Sequence, residues 1–156
     1  RRENQNNNLD IFFTALKKIV RDNNNYFFLF SIHPTPIVQR KFDKYFRNVK
    51  YKNFHSENNI NHPLFCYLLG KAHLIFTDSG GIQEESSYFG TPTILMRKTS
   101  ERQELIGKNI LYGYFDKKVT NLFEKLKDKN FYNLYSVKSF PYGIGNSTNK
   151  IIKIIE

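Results

Sequence analysis

One stretch of the sequence, residues 74–104, constrains the fold more than any other: LIFTDSGGIQEESSYFGTPTILMRKTSERQE. Its pattern predicts a buried strand, a tight polar turn, a helix and a second apolar strand, over residues 74–77, 78–81, 82–89 and 93–96. Gly90 suits the positive φ of a helix C-terminus, and Pro92 prevents the helix from continuing. These four elements form a βαβ unit, whose crossover is right-handed.

The polar turn of this unit has the features of a phosphate site. It lies at the carboxyl end of its strand, where open α/β sheets bind ligands. The N–H groups at the start of the helix favour an anion, and Ser79 adds a hydroxyl. Gly80 and Gly81 let the backbone approach that anion closely, while Arg97 and Arg102 in the next loop can cap it from the side. The alternative is a plain glycine turn without a ligand.

Strands and helices alternate along the rest of the chain. Apolar spacing predicts helices over residues 9–20, 37–47, 63–72, 119–127, 131–137 and 148–155, and strands over 26–32, 49–54 and 110–112. We expect Asn8 to cap the first helix, the strand at 26–32 to be buried on both faces, and residues 55–62 to form a polar loop. The alternation predicts an α/β fold, a Rossmann-like doubly wound parallel sheet with helices on both faces.

Length and composition indicate one globular domain. The chain has 156 residues, of which 40% are hydrophobic, enough for a proper core. No apolar run approaches the about 18 residues of a membrane span, and no signal-peptide pattern opens the chain. Cys66 is the single cysteine, and no Cys/His cluster has metal-ligand spacing, so we expect a buried thiol and no metal site. These features predict a soluble, cytoplasmic protein without membrane contact.

The net charge of +10 raises the question of nucleic-acid binding. The lysines are scattered along the chain instead of forming one basic tract, and this distribution argues against it. A small anionic ligand accounts for a local positive site, and we interpret the remaining charge as solvated surface.

The motifs, taken in order, resemble those of the UDP-N-acetylglucosamine 2-epimerase family of the non-hydrolysing type. Six segments carry the resemblance: RREN at 1–4, HP at 33–34, DSGGIQEE at 78–85, GTP at 90–92, TSER at 99–102 and PYGIG at 141–145. The family patterns differ in detail: HRREN has a leading histidine, H-x-N-P an asparagine, T-E-R-P-E a proline where Gln103 stands, and PYGDG an aspartate where Ile144 stands. The resemblance covers the whole chain but only the C-terminal half of the family's length.

The resemblance implies a UDP-binding lobe of the two-lobed GT-B arrangement over residues 1–156. It assigns the diphosphate to Ser79, Gly80 and Gly81, the ribose to Glu85 and the neighbourhood of the uracil to Phe65. A carboxylate one helical turn after the glycines can indeed accept hydrogen bonds from a ribose diol. The alternatives are a solvated acid for Glu85 and an ordinary core aromatic for Phe65.

The remaining assignments concern charge and regulation. Arg102 is the candidate for stabilising the leaving-group phosphate, with Arg97 a weaker one and Glu84 left without a role. The resemblance implies that Arg1 and His33 bind a second, activating UDP-N-acetylglucosamine, although an isolated histidine is more often structural.

The reaction implied by the resemblance interconverts UDP-N-acetylglucosamine and UDP-N-acetylmannosamine for surface-polysaccharide precursors. Loss of the C2 proton and of UDP gives a 2-acetamidoglucal, to which UDP is added back. No cofactor is required, and the acid and base carboxylates belong to the N-terminal lobe. We therefore expect this chain to be inactive alone, with the terminal helix, residues 147–156, packing toward that lobe.

Several alternatives stay open at this stage. A GT-B glycosyltransferase lobe would also hold UDP with a glycine turn and a ribose glutamate. Hydrolysing epimerases are closer kin with a different serine-rich turn. A non-catalytic nucleotide-sugar module or a gene remnant would carry the same motifs without the reaction. The expected partners are UDP, its N-acetylhexosamine conjugates, the N-terminal lobe and a second copy in a homodimer.

Overall fold

The computed structural model describes residues 7–114 and 117–155, without the side chains of residues 7 and 117. In this part of the chain the helices are α1 Asn7–Asp22, α2 Pro36–Phe46, α3 His62–Lys71, α4 Gly80–Phe89, α5 Lys117–Lys125, α6 Lys129–Tyr135 and α7 Ser147–Ile155. The strands are β1 Phe28–Ile32, β2 Phe54–Asn58, β3 Ile75–Thr77, β4 Thr93–Leu95 and β5 Ile110–Tyr112. A short 3-10 helix, Gln103–Leu105, precedes β5.

All strand pairs are parallel, so the predicted parallel α/β class is confirmed. β1 pairs with β2, and β4 lies between β3 and β5. Among the described residues these strands form two hydrogen-bonded sheets, and no ladder joins β1 to β3. The carboxyl ends of β1 and β3 border one cleft, which holds the candidate site described below.

The position of β2 is the largest departure from the sequence prediction. A strand was expected at residues 49–54 and a loop at 55–62, but the strand is Phe54–Asn58. The side-chain amide of Asn53 fixes the turn before it by donating to the backbone carbonyls of Val20, Asn23 and Tyr26. This edge strand is defined by the pairing of its backbone with β1. Most of its side chains are polar, so no run of apolar residues in the sequence predicted it.

Three further expectations are corrected. β1 is not buried on both faces, since its residues alternate and Leu29 is 41% exposed. Asn8 lies inside α1 and is therefore not its N-cap. α4 begins at Gly80, two residues before the predicted start, so both glycines belong to the first helical turn. The predicted C-terminus is confirmed, because Gly90 has a φ of 73° and caps α4.

Two apolar clusters pack on opposite faces of β4. Ile94 is fully buried in the larger cluster, to which α1, α2 and α5 contribute; Phe13 lies at its centre, with ring contacts to Phe30 and Phe42. Leu95 belongs to a smaller cluster near the 3-10 helix. Each fully buried side chain of this size contributes about 1.5–3 kcal/mol to the free energy of unfolding. β4 thus packs against apolar side chains on both faces, beside the β3–α4 corner.

The C-terminal helix α7 contrasts with this core because none of its residues is buried. Ile154 and Ile155 are 84% and 79% exposed, and Ile151 and Ile152 are about half exposed. No helix in the described part of the chain is long and apolar enough to cross a membrane.

Candidate functional site

The β3–α4 corner presents the N-terminus of a ten-residue helix to the cleft. Ser79 is the N-cap of α4, with extended backbone angles, and its hydroxyl makes no capping hydrogen bond. Its backbone N–H instead donates to the Thr77 hydroxyl, over 3.1 Å, which fixes the turn after β3. The first-turn N–H groups of a helix lack intrahelical partners and carry partial positive charge, so this corner is suited to an anion.

The two glycines of the corner are required for different reasons. A β-carbon at position 80 would lie 2.8 Å from a terminal nitrogen of Arg102 and 2.9 Å from its guanidinium carbon. A β-carbon at position 81 would meet no atom of the described residues within 4 Å. Gly80 therefore makes room for the arginine, whereas Gly81 leaves the backbone open toward the cleft.

Arg102 is held over the corner by acidic neighbours. Its Nε donates to Glu84 Oε1 over 2.7 Å, and a terminal nitrogen lies 3.4 Å from Glu101 Oε2. The hydrogen bond to Glu84 raises the pKa of Arg102 further above its ordinary value, so the guanidinium stays charged. Its side chain is 25% exposed, which leaves it accessible to an anion in the cleft.

Gln83 connects the corner to the segment that carries Arg97 and Arg102 (the arginine loop, residues 97–104), and sequence reasoning missed it. Its side chain is fully buried; Nε2 donates to the Ser79 carbonyl over 3.1 Å, and Oε1 accepts from the Ser100 hydroxyl over 2.6 Å. The Ser100 oxygen in turn accepts from the Arg102 backbone N–H over 2.9 Å. A glutamine on the inward face of a short helix was the available signal, because a buried polar side chain needs such partners.

Two more contacts fix the arginine loop, in which Gln103 stands at the position of the family's proline. The Gln103 side-chain amide donates to the carbonyl of Ser100. Arg97 is 7% exposed at its side chain and pairs with Glu101 over 2.8 Å. Arg97 therefore braces the loop from inside, and Arg102 is the arginine that reaches the corner.

The PYGIG segment, residues 141–145, forms a turn that contacts the loop carrying Arg102. Gly143 has a φ of 93°, and its N–H donates to the Phe140 carbonyl, which closes the turn. The Tyr142 hydroxyl donates to Glu104 Oε2 over 2.8 Å. Partial burial and this hydrogen bond raise the pKa of Tyr142 to about 12, so the phenol stays protonated and keeps the turn attached to the arginine loop.

Most of the sequence-predicted site residues border the same cleft. The cavity has a volume of about 1430 Å³, and its lining includes His33, Phe65, Ser79, Gly80, Gly81 and Arg102. His33 is exposed there, and its Nδ1 accepts from the Thr35 backbone N–H over 3.2 Å, at the start of α2. Arg1, the other predicted regulatory residue, lies outside the described residues.

Glu85 differs from the other predicted residues because it does not line this cavity. Its Oε1 lies 3.2 Å from His62 Nε2, at the contact between α3 and α4. Cys66 stands beside the same histidine and is only partly buried, not the buried thiol that was expected. Three side chains that commonly ligate metals therefore meet here, a grouping that the sequence analysis did not anticipate.

A sequence model of the family described as UDP-N-acetylglucosamine 2-epimerase matches residues 1–156. The chain belongs to this family. Among the epimerases it resembles, the UDP-N-acetylglucosamine 2-epimerase of Campylobacter jejuni is 34% identical over 158 residues, which cover 99% of this chain and 41% of that enzyme. The chain thus spans about two fifths of the length of the curated relatives it matches.

Solved structures of epimerases agree with this assignment. The UDP-GlcNAc 2-epimerase of Neisseria meningitidis, solved with UDP-GlcNAc bound, superimposes with a TM-score of 0.92 at 26% identity, covering 99% of this chain and 42% of that one. The Methanocaldococcus jannaschii epimerase, solved with UDP-GlcNAc and UDP, gives a TM-score of 0.76 at 27% identity over 95% of this chain and 40% of that one. The Rossmann-like α/β fold expected from the alternation of strands and helices is therefore confirmed.

Proposed function

We propose that this chain is the UDP-binding lobe of a non-hydrolysing UDP-N-acetylglucosamine 2-epimerase, which interconverts UDP-N-acetylglucosamine and UDP-N-acetylmannosamine. The observation that carries the proposal is the corner itself: a charged guanidinium, Arg102, lies over the N-terminus of α4 beside Gly81, where a β-carbon would meet none of the described residues within 4 Å. Family membership supports the nucleotide, and so do the related enzymes solved with UDP-GlcNAc and UDP.

In this proposal the diphosphate lies against Ser79, Gly80 and Gly81, where N–H groups and the helix dipole favour negative charge. Arg102 exchanges its contact with Glu84 for a phosphate oxygen, because a multiply charged phosphate is the stronger acceptor. The uracil lies near Phe65 in the same cleft. Glu85 leaves His62 to accept hydrogen bonds from the ribose.

The chemistry requires charge stabilisation where UDP departs from the sugar. As the C1–O bond breaks, negative charge develops on the phosphate oxygen, and a fixed cation such as Arg102 stabilises it most in the transition state. Proton removal and return at C2 need carboxylates beside the sugar, which we assign to an N-terminal lobe. The exposed isoleucines of α7 supply an apolar surface for contact with that lobe.

Calorimetric titration of the chain with UDP, UMP and UDP-N-acetylglucosamine tests the proposal. UDP should bind more tightly than UMP, because the second phosphate adds contacts with the corner. Ser79→Ala and Glu85→Ala should each lower the affinity for UDP about fivefold, which corresponds to the loss of one hydrogen bond of about 1 kcal/mol. Glu124→Ala on α5 removes an exposed glutamate outside the cleft and is the matched control. The assignment is contradicted if the folded chain does not bind UDP, or if both variants bind UDP with the wild-type affinity.

A further inference from the structure

The contact between α3 and α4 brings together three side chains of ligand type: His62, Cys66 and Glu85. His62 and Cys66 are four residues apart in α3 and so share one helix face. His62 Nε2 lies 3.5 Å from Cys66 Sγ and 3.2 Å from Glu85 Oε1. One ligand atom from each residue can be chosen so that all three lie within 4.8 Å of one another.

These separations match the edges of a zinc coordination tetrahedron. Bonds of ~2.3 Å to sulfur and ~2.05 Å to nitrogen, at tetrahedral angles, place the sulfur and nitrogen about 3.6 Å apart. The corresponding nitrogen-to-oxygen edge is about 3.4 Å. The observed separations of 3.5 Å and 3.2 Å are close to these two values, and the third pair, Cys66 Sγ and a Glu85 oxygen, lies within 4.8 Å.

The two helices that carry the ligands are held together independently of them. The ring of Phe89 in α4 packs on Gly70 of α3 so closely that a β-carbon there would lie 2.9 Å from a ring carbon. The Thr91 hydroxyl donates to the Leu69 carbonyl over 2.9 Å in a buried contact. The distance between α3 and α4 is therefore set by packing, and the three ligand atoms are brought together by the fold before any metal arrives.

We propose that His62, Cys66 and Glu85 form a binding site for Zn²⁺ or a similar borderline-soft divalent cation. A thiolate, an imidazole and a carboxylate together favour zinc over magnesium or calcium, which prefer oxygen ligands. Three protein ligands leave a fourth position for water. The His62 side chain is 74% exposed, so the cation has a direct path from solvent.

The metal site shares Glu85 with the nucleotide site, a consequence that rests on the proposed function. A carboxylate bound to zinc cannot at the same time accept the ribose hydrogen bonds. The binding of zinc and the binding of UDP are therefore antagonistic. By thermodynamic linkage, each ligand lowers the affinity for the other by the same factor. If zinc and UDP cannot bind at the same time, a zinc concentration of ten times its Kd would raise the apparent Kd for UDP about tenfold.

Metal binding is tested without any nucleotide. The chain, purified with a chelator and then freed of it, is titrated with Zn²⁺ by calorimetry and with Co²⁺ by absorption spectroscopy. We expect one equivalent of zinc to bind, and a thiolate-to-cobalt charge-transfer band that Cys66→Ser abolishes. Cys66→Ser and His62→Gln should each lower the affinity for zinc at least about tenfold, whereas His55→Gln, in β2, should leave it unchanged. No binding near one equivalent, or binding unchanged by both substitutions, overturns the site.

The linkage is tested by titrating UDP with and without Zn²⁺. Zinc should weaken UDP binding by the wild-type chain but not by Cys66→Ser, which also controls for zinc bound by the nucleotide itself. Equal UDP affinity in both conditions overturns the linkage. If UDP does not bind at all while zinc still does, the proposed function fails and the metal site stands.

Discussion

The guanidinium group of Arg102 lies against the α-carbon of Gly80, so that a methyl group there would be 2.8 Å from one of its nitrogens. This contact joins the loop after β4 to the helix that follows β3. It places the Arg102 guanidinium over the first turn of α4, where the helix dipole is positive. Two positive features share one corner, an arrangement that favours a multiply charged anion.

Gly80→Ala and Gly81→Ala should separate the two roles of the glycines. Alanine favours a helix over glycine by about 1 kcal/mol in a helix interior and by less in a first turn, so Gly81→Ala should increase the free energy of unfolding by less than that amount. Gly80→Ala should lose this gain because Arg102 must move aside. UDP affinity should fall in both. Urea unfolding and UDP calorimetry check the pair, and equal stabilities would contradict the steric explanation.

Glu84→Gln should strengthen UDP binding. In the structure Glu84 pairs with Arg102 over 2.7 Å, and removing its charge leaves the guanidinium with only the longer contact to Glu101, 3.4 Å, to compete with phosphate. The pair is partly exposed, at 25% and 40% of the two side chains, so the free energy of unfolding should change by less than about 1 kcal/mol. UDP calorimetry at two salt concentrations is the measurement, with Glu124→Gln as control. A weaker UDP affinity would mean that Glu84 acts by orienting Arg102.

Gln83→Leu should destabilise the chain by about 1–3 kcal/mol, because it leaves the buried Ser100 hydroxyl without its acceptor. Adding Ser100→Ala removes that stranded hydroxyl. The double variant should therefore be less destabilised than the sum of the single variants, a coupling of about 1 kcal/mol in a double-mutant cycle. Strict additivity in urea unfolding would show that the two side chains do not act together.

Asp10 should make the stability of the chain depend on acid pH. Hydrogen bonding to Lys41, over 2.6 Å, lowers the pKa of Asp10 from 3.8 to about 2. Because the folded pKa is the lower one, the stabilisation is fully present above pH 3.8 and is lost as the pH falls through about 2.

Asp10→Asn should therefore cost about 1–2 kcal/mol at neutral pH, after allowance for solvent screening, and progressively less between pH 4 and pH 2. Urea unfolding across this range is the measurement. Asp43→Asn, on the same helix as Lys41, is the matched control. A difference from wild type that stays constant down to pH 2 would contradict the ion-pair explanation.

Ile154→Lys should test the role assigned to α7. The side chain is 84% exposed, so the free energy of unfolding of the chain should change by less than about 0.5 kcal/mol. Association with a separately purified N-terminal lobe should weaken if this face is the contact. Thr148→Lys, an exposed change on the same helix, controls for charge. Equal association of wild type and Ile154→Lys, measured by calorimetry, would contradict the assignment.

The sequence alone determined the parallel α/β class and the βαβ unit around residues 74–96, and it indicated the corner that we propose binds an anion. These depend on local signals: apolar runs, Gly90 at a helix end and Pro92 after it. The position of β2 was not predictable in this way, because the strand Phe54–Asn58 is polar and exists through its pairing with β1. Backbone pairing between distant segments leaves no pattern in the side chains of an edge strand.

The sequence motifs identified Arg102 and the two glycines as candidate site residues, but only the tertiary structure determined how these residues contact one another. The fit of Arg102 against Gly80, the buried link through Gln83 and the meeting of His62 with Glu85 all join elements at least 17 residues apart in the chain. Such contacts depend on how helices and strands pack, and packing is set by the whole core. The sequence specified the chemistry of the site, and the fold specified its geometry.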